Sequence, residues 1–470
     1  MELMIPLKAG GPKSMYEQIY EYVKREIRGG GLREGVRLPS TRVLAENLKV
    51  SRSTTQMAYD QLTAEGYIEA VPGRGYFVLG MEELAEVEIE PEPAGGFIRT
   101  EKAGSGGAVI DFSPRGIDLS HFPYNAWRKI TRNTLVEDNR EMFLTGSPQG
   151  EPALREAVRG YLHSARGVNC QADQIIIGAG SEYLLMLLYQ IMGAGRTIAM
   201  ENPTYKQAYR VFESLGYKII PVEMDGAGMD VRALGRSGAD IAYVMPSHQY
   251  PTGIVMPVVR RQELLQWAGQ KKDRFLIEDD YDSEFRYRGR PIPALQGLDK
   301  SGKVIYMGTF SKSIAPAIRI GYMVLPRPLL GVYREKLGFY ASTVSRIDQN
   351  IIYQFLTGGY YERHLNRMRA IYKGKHDLLL GRLKELEEDF EIYGENAGLH
   401  ILLRNRKGKA ESRLVEQAQE RGVRVYGLSS CCIGEEHVSR SSTVVLGYAR
   451  LSEEQINRGT GLLREAWKES

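Results

Sequence analysis

Lys312 ends an apolar run, Val304-Ile305-Tyr306-Met307-Gly308-Thr309-Phe310-Ser311-Lys312. A lysine in that place is unusual, because desolvation disfavours the ammonium. Such a lysine loses its proton readily and becomes a nucleophilic amine, the group that condenses with an aldehyde to form a Schiff base. Ser311 beside it and Arg319 seven residues later offer donors for a phosphate. Taken alone, Lys312 reads equally well as an exposed side chain in a loop after a strand.

Two other stretches shift that balance. Phe275-Leu276-Ile277-Glu278-Asp279-Asp280-Tyr281 reads as a strand ending in carboxylates and a phenol. The bland alternative for Asp279-Asp280-Tyr281-Asp282 is a solvated turn of carboxylates. Beside a pyridine ring, Asp279 would keep the ring nitrogen protonated and Tyr281 would donate to a ring oxygen. Ile175-Ile176-Ile177-Gly178-Ala179-Gly180-Ser181-Glu182 reads as a strand, a glycine turn and a helix start. Ala179, Gly180 and Ser181 offer backbone N–H groups and a hydroxyl at a helix N-terminus, a natural phosphate site. Together the three stretches resemble the pyridoxal 5'-phosphate (PLP) site of fold-type I aminotransferases. That resemblance implies PLP bound as an aldimine to Lys312, the catalytic lysine. Tyr205, which follows a strand, reads equally well as a side chain stacked on the ring and as an ordinary packing tyrosine. It also implies a partner for the ring oxygen among Ser247, His248 and Gln249, of which His248 is the expected one.

The elements that must hold these residues follow from hydrophobic pattern. From residue 108 to 470, apolar runs alternate with helical periodicity, which predicts an α/β domain with a mostly parallel sheet. Strands are expected at Gln174–Ile177, Thr197–Met200, Lys218–Val222, Ile241–Met245, Phe275–Glu278 and Val304–Met307. Ligands of open α/β sheets sit at strand C-terminal ends, where the candidate residues fall.

Residues 1–80 carry a different pattern. Tyr16, Ile19, Tyr20, Val23 and Ile27 recur at helical spacing. Ser40 or Thr41 opens a second helix with Leu44, Ala45 and Leu48 inside, and Ser51 caps a third with Ala58, Tyr59 and Leu62 inside. A hairpin follows, Tyr67–Val71 and Gly75–Val78 around Pro72-Gly73-Arg74. Three helices and a hairpin predict a winged helix-turn-helix for double-stranded DNA. Arg52, Ser53, Thr54, Thr55 and Gln56 open the third helix with side chains suited to base edges and phosphates. Ser40, Arg42 and Ser51 join them at the helix starts, and Arg74 at the wing tip suits a minor-groove or phosphate contact. Charge does not betray this segment, which holds 11 Lys and Arg against 9 Asp and Glu.

Between the two lies a stretch without hydrophobic period, residues 81–107, with six glutamates in its first half and glycines in its second; it reads as a linker. The 470 residues predict two or three domains. No run of about 18 apolar residues marks a membrane span, and the N-terminus shows no signal-peptide pattern. Cys170, Cys431 and Cys432 lack metal-ligand spacing, and their scarcity fits a reducing cytoplasm.

Leu38-Pro39-Ser40-Thr41-Arg42, Val50-Ser51-Arg52-Ser53-Thr54 and Gly66-Tyr67-Ile68 resemble the GntR-type winged helix. With Pro246-Ser247-His248-Gln249, Glu278-Asp279-Asp280-Tyr281-Asp282-Ser283-Glu284-Phe285 and Gly308-Thr309-Phe310-Ser311-Lys312-Ser313, the whole chain is similar to the MocR subfamily of GntR regulators. The resemblance implies a PLP-dependent transcription factor that answers to an amine, an amino acid or PLP itself. It also implies a domain-swapped head-to-tail homodimer. Members that respond to γ-aminobutyrate place arginine after the tyrosine matching Tyr205 and again in the segment matching Tyr426–Ser430. Here those places hold Lys206-Gln207 and Ser430, which points to a different effector. The alternative reading is a working aminotransferase with a fused DNA-binding domain, because Asp279, Tyr281, Lys312 and Arg319 permit at least a half-reaction.

Overall fold

The computed structural model describes residues 3–8, 13–80, 109–135, 140–287, 292–395, 398–434 and 441–468. The chain divides into two compact units, Met1–Gly104 and Ser105–Ser470. The expected linker, residues 81–107, lies outside the described residues.

The first unit holds α1 (Met15–Arg28), α2 (Thr41–Leu48), α3 (Arg52–Ala64), β1 (Ile68–Val71) and β2 (Gly75–Val78). Ser40 caps α2 by accepting from the Val43 N–H at 3.3 Å, and Ser51 caps α3 by accepting from Thr54 at 3.2 Å. Lys49 turns the chain between them in the left-handed region, φ 53°. Ile19 and Val23 of α1, Leu44 of α2 and Ala58, Tyr59 and Leu62 of α3 are fully enclosed in one core that also takes Ile68 and Val78 of the antiparallel hairpin. Truncating Leu62 to alanine there would cost about 2–5 kcal/mol. Tyr16 and Leu48, expected inside, are half-buried.

The second unit runs β3 (Ile110–Asp111), α4 (Tyr124–Thr134), α5 (Pro152–Arg166), β4 (Ile175–Gly178), α6 (Ser181–Met192), β5 (Thr197–Asn202), α7 (Lys206–Ser214), β6 (Lys218–Asp225), β7 (Gly228–Met229), α8 (Val231–Arg236), β8 (Ile241–Val244), α9 (Val258–Gly269), β9 (Phe275–Asp280), β10 (Val304–Thr309) and β11 (Gly321–Val324). It continues with α10 (Arg327–Lys336), α11 (Arg346–Thr357), α12 (Tyr360–Leu383), β12 (Phe390–Tyr393), β13 (His400–Asn405), α13 (Glu411–Glu420), β14 (Val423–Arg424), β15 (Tyr426–Gly427), β16 (Thr443–Gly447) and α14 (Glu453–Trp467).

Its main sheet has the order β4-β11-β10-β9-β8-β5-β6-β7. The five strands from β10 to β6 are parallel; β11 runs antiparallel to β10 and β4, and β7 to β6. β4, β8 and β9 are buried at every position, which is why they read as continuous apolar runs. Side chains alternate between faces. Ile176, Met200, Tyr243, Ile277, Ile305 and Met307 pack with Leu184 and Leu188 of α6. Ala242, Val244 and Leu276 pack with Leu264 and Trp267 of α9 on a separate core. A smaller antiparallel sheet, β12-β13-β16-β15, makes a third layer with α12, α13 and α14.

Several strands run past their expected ends. β9 continues through Asp279 and Asp280, and β5 through Glu201 and Asn202. A hydrophobic pattern stops at the first charge. The ladder does not, because Met307 and Gly308 of β10 pair in register with Asp279 and Asp280.

Candidate cofactor site and nucleic-acid interface

β9 delivers its carboxylates into the interior, which rules out a solvated acidic turn. Asp279, Asp280 and Asp282 are all buried. The Arg166 guanidinium, from the last turn of α5, donates to Asp280 Oδ2 at 2.7 Å, and the Tyr306 hydroxyl donates to the same oxygen. The Tyr243 hydroxyl donates to Asp279 Oδ2. Asp279 Oδ1 has no hydrogen-bond partner among the described residues. Burial pushes the Asp279 carboxyl up to about 6, helped by the charges of Asp280 and Asp282 and opposed by the Tyr243 hydrogen bond.

Lys312 lies just past β10 and is half-buried. Its Nζ donates to the carbonyls of Arg115 at 3.1 Å and Pro114 at 3.3 Å. Burial lowers the amine to about 8; Asp282 opposes that shift and the Arg115 charge adds to it. About one Lys312 in ten is then a neutral nucleophile at pH 7.

The turn from β4 into α6 forms the third part. Gly180 has φ 88°, and a Cβ added there would lie 2.6 Å from Arg319 Nη2. Gly180 at the N-cap offers no capping side chain, and at the first turn of α6 the Glu182 carboxylate interacts with its own N–H and with Ser181. Arg319, itself in the left-handed region at φ 51°, donates to Glu182 at 2.7 Å and to the Ala179 carbonyl at 3.4 Å. The Ala179 N–H donates to Thr343 Oγ1 at 3.1 Å, and the Ser311 N–H to Thr309 Oγ1 at 3.1 Å.

Tyr205 stands at the start of α7, edge-on to Tyr250 at 5.9 Å. Burial pushes its phenol up to about 12; the Asp279 and Glu182 carboxylates add to this, and the Arg115 and Arg319 charges oppose it. Tyr281 bonds His248 Nδ1 at 3.0 Å, and the same nitrogen lies 3.0 Å from both oxygens of Asp282. An ionised carboxylate only accepts, so Nδ1–H donates to Asp282. His248 Nε2 is buried without a hydrogen-bond partner among the described residues, and the ring is pinned against Gly398. His248, expected as a lining residue, makes its hydrogen bonds to Tyr281 and Asp282.

Sequence reasoning missed Arg166, Tyr243, Asp282, Tyr250 and Arg115. Arg166, Tyr243, Tyr250 and Arg115 lie outside the motifs that carry the resemblance; Asp282 lies inside the acidic motif, where nothing in the pattern sets it apart from its neighbours. Among the described residues no group of three or more His, Cys, Asp and Glu side chains could hold a metal ion.

In the first unit, Arg52 and Ser53 are exposed at the start of α3, with Arg42 on α2 and Arg74 on the wing. Arg42 pairs with Glu46 at 3.1 Å, and Arg74 lies over the Phe77 ring at 5.6 Å. Ser51 bonds Ser53 and Thr54 at 2.7 Å. Gln56 donates to Asp60 at 2.8 Å and to Tyr76 on the wing at 3.0 Å. Thr55 corrects the expectation of a DNA-facing residue. It is fully buried, and its hydroxyl donates to the Thr41 carbonyl at 2.8 Å, tying α3 to α2. Met57 and Val43, about half-exposed apolar side chains on α3 and α2, were not foreseen.

Residues 117–460 match the family "Aminotransferase class I and II", and residues 15–78 match "Bacterial regulatory proteins, gntR family". The chain is 40% identical over 455 residues to the HTH-type transcriptional regulator YdeL of Bacillus subtilis, covering 97% of each. It is 32% identical to the probable rhizopine catabolism regulatory protein MocR of Rhizobium meliloti, over 99% of this chain and 96% of that one. It is also 32% identical to the pyridoxine biosynthesis transcriptional regulator PdxR of Corynebacterium glutamicum, over 97% and 96%. The kynurenine aminotransferase structure from Pyrococcus horikoshii superposes with a TM-score of 0.67 at 26% identity, covering 77% of this chain and 92% of that one. PLP is the cofactor of this fold. The residues present fit it: an amine of lowered basicity, a buried carboxylate with one free oxygen, and a cradle that a Cβ at Gly180 would fill. With its two units matched in this order, the chain belongs to the MocR-type regulators of the GntR family, a GntR helix-turn-helix joined to a class I and II aminotransferase domain.

Proposed function

We propose that this protein is a transcriptional regulator that binds operator DNA through α3 and the wing, and that reads a small amine, an amino acid or PLP itself at Lys312. The observation that carries the reading is the half-buried Lys312 amine, lowered to about 8, in the same chain as a winged helix with an exposed polar first turn. Lys312 would hold PLP covalently. Asp279 would hold the proton on the ring nitrogen, and Tyr281 would donate to the ring oxygen. Ala179, Gly180, Ser181, Ser311 and Arg319 would hold the phosphate, with Tyr205 against the ring. Bound there, PLP supplies an aldehyde for amines and an electron-withdrawing ring. On DNA, Arg52 and Arg42 would meet phosphates and base edges, Ser53, Thr54 and Gln56 would read edges, and Met57 offers an apolar contact for a thymine methyl.

The name of PdxR supports PLP as a signal in its own right. We assign the protein to the cytoplasm because its DNA is there. The working assembly is a head-to-tail homodimer with each winged helix on the partner's large domain; exposed Phe143, Leu144 and Phe339 supply apolar surface for a second copy. A working aminotransferase is the second reading, favoured by the complete set Asp279, Tyr281 and Lys312.

The test is affinity for the DNA upstream of its own gene, at fixed salt, for cofactor-free protein, PLP-loaded protein and PLP-loaded protein with amines. A ligand can change DNA affinity only through differential binding to two states. A change with PLP alone marks a vitamer sensor, and a change requiring an amine marks an amine sensor. No change, with steady turnover against an oxo-acid, leaves the enzyme.

A further inference from the structure

A ligand that carries a carboxylate besides its amine needs a cation near Lys312, and most cations around that amine are committed elsewhere. Lys206 Nζ donates to the Cys432 carbonyl at 3.0 Å and lies over the Tyr209 ring at 4.1 Å. Arg319 is paired with Glu182 at 2.7 Å, and Lys375 is buried on Asp118 at 2.7 Å. Arg450 leans on Asp111 at 3.5 Å.

Arg115 differs from all four. Its backbone carbonyl accepts from Lys312 Nζ at 3.1 Å, so the residue abuts the reactive amine. Its guanidinium is exposed and makes no hydrogen bond or ion pair among the described residues. Tyr250 joins Tyr205 and Tyr281 in one aromatic group, 5.9 Å from the first and 6.0 Å from the second between ring centroids. The Arg115 charge acts on the phenols of Tyr205 and Tyr250, the Cys431 thiol and the Lys312 amine, four groups carried on different segments of the chain. A free, fork-shaped cation at such a convergence is suited to a carboxylate, which it can bind through two parallel hydrogen bonds.

We propose that Arg115 holds the carboxylate of the effector, and that the effector class is amino acids rather than plain amines. This rests on the reading of Lys312 as the amine-sensing site. It accounts for Gln207 and Ser430, since the charge is supplied from the segment before α4 instead.

The experiment titrates PLP-loaded full-length protein with matched pairs: L-alanine against isopropylamine, β-alanine against n-propylamine, and γ-aminobutyrate against n-butylamine. Each pair replaces a carboxylate with a methyl group. The readouts are the visible absorption of the bound cofactor and the affinity for upstream DNA. The expected result is a preference for the carboxylated member of at least one pair, falling about 10- to 100-fold in Arg115→Gln and less in Arg115→Lys, the loss of one charged hydrogen-bonded pair. The ratio within a pair is the reading, because a merely structural loss moves both members together. A preference that persists in Arg115→Gln overturns the role of Arg115 and leaves the sensor reading standing. Equal binding of both members by the unaltered protein overturns the amino-acid class. If none of the six compounds changes the absorption of the unaltered protein, the amine-sensing reading and this inference fall together.

Discussion

Four carboxylates lie within five positions at the end of β9, and all four are buried; at the start of α3, Arg52 and Ser53 stand in solvent. The acidic cluster is held from far away in the chain. Glu278 accepts from the Leu295 and Gln296 N–H groups at 2.8 Å, Asp280 from Arg166 and Asp282 from His248. The start of α3 is held locally, by the Ser51 cap and by the i,i+4 bond from Gln56 to Asp60. The difference follows from what each region must do. Cofactor chemistry needs shifted proton affinities, which only enclosure and nearby charge provide. A reader of DNA needs hydrated, movable side chains that exchange water and counterions for phosphate.

The sharpest way to separate the regions is Lys312→Ala. It should abolish borohydride-fixable PLP and its visible absorption, while the salt slope of DNA binding by cofactor-free protein stays that of the unaltered chain. Covalent PLP in that variant would place the reactive amine elsewhere. Arg166→Met leaves Asp280 buried without its cation and should cost about 3–5 kcal/mol in urea unfolding of the large unit. A loss under 1 kcal/mol would mean that the enclosure does not depend on this pair.

The pH dependence of PLP capture is the next effect in size. The neutral amine is the reactive form, so with Lys312 near 8 capture should rise about tenfold from pH 6 to 7 and level off above 8. A rise continuing past pH 10 would show an ordinary exposed lysine. On the other side of the comparison, Arg52→Ala should weaken DNA binding and reduce the salt slope by about 1, with the cofactor spectrum unmoved. Ser51→Ala, which removes a helix cap and its hydroxyl contacts to Ser53 and Thr54, should cost about 1 kcal/mol in thermal unfolding of the winged helix.

Much of this molecule is legible without coordinates, and the legible part is the part made by neighbours in sequence. The helix caps Ser40 and Ser51, the wing turn at Gly73, the buried β4, β8 and β9, and the placing of Lys312 and Asp279 at strand ends all follow from residue type and spacing. What spacing cannot carry is the partner of a buried charge. Arg166 and Asp280 are 114 residues apart, and Tyr243 and Asp279 are 36 apart, so no local pattern joins them. Thr55 looks like its polar neighbours Ser53 and Thr54 until the helix is rotated into place, where the packing of α2 makes it a core residue. Sequence determined which groups are present and which element each rides on. Tertiary structure alone decided which of them lose water, and it is the loss of water that lowers the Lys312 amine and raises the Asp279 carboxyl.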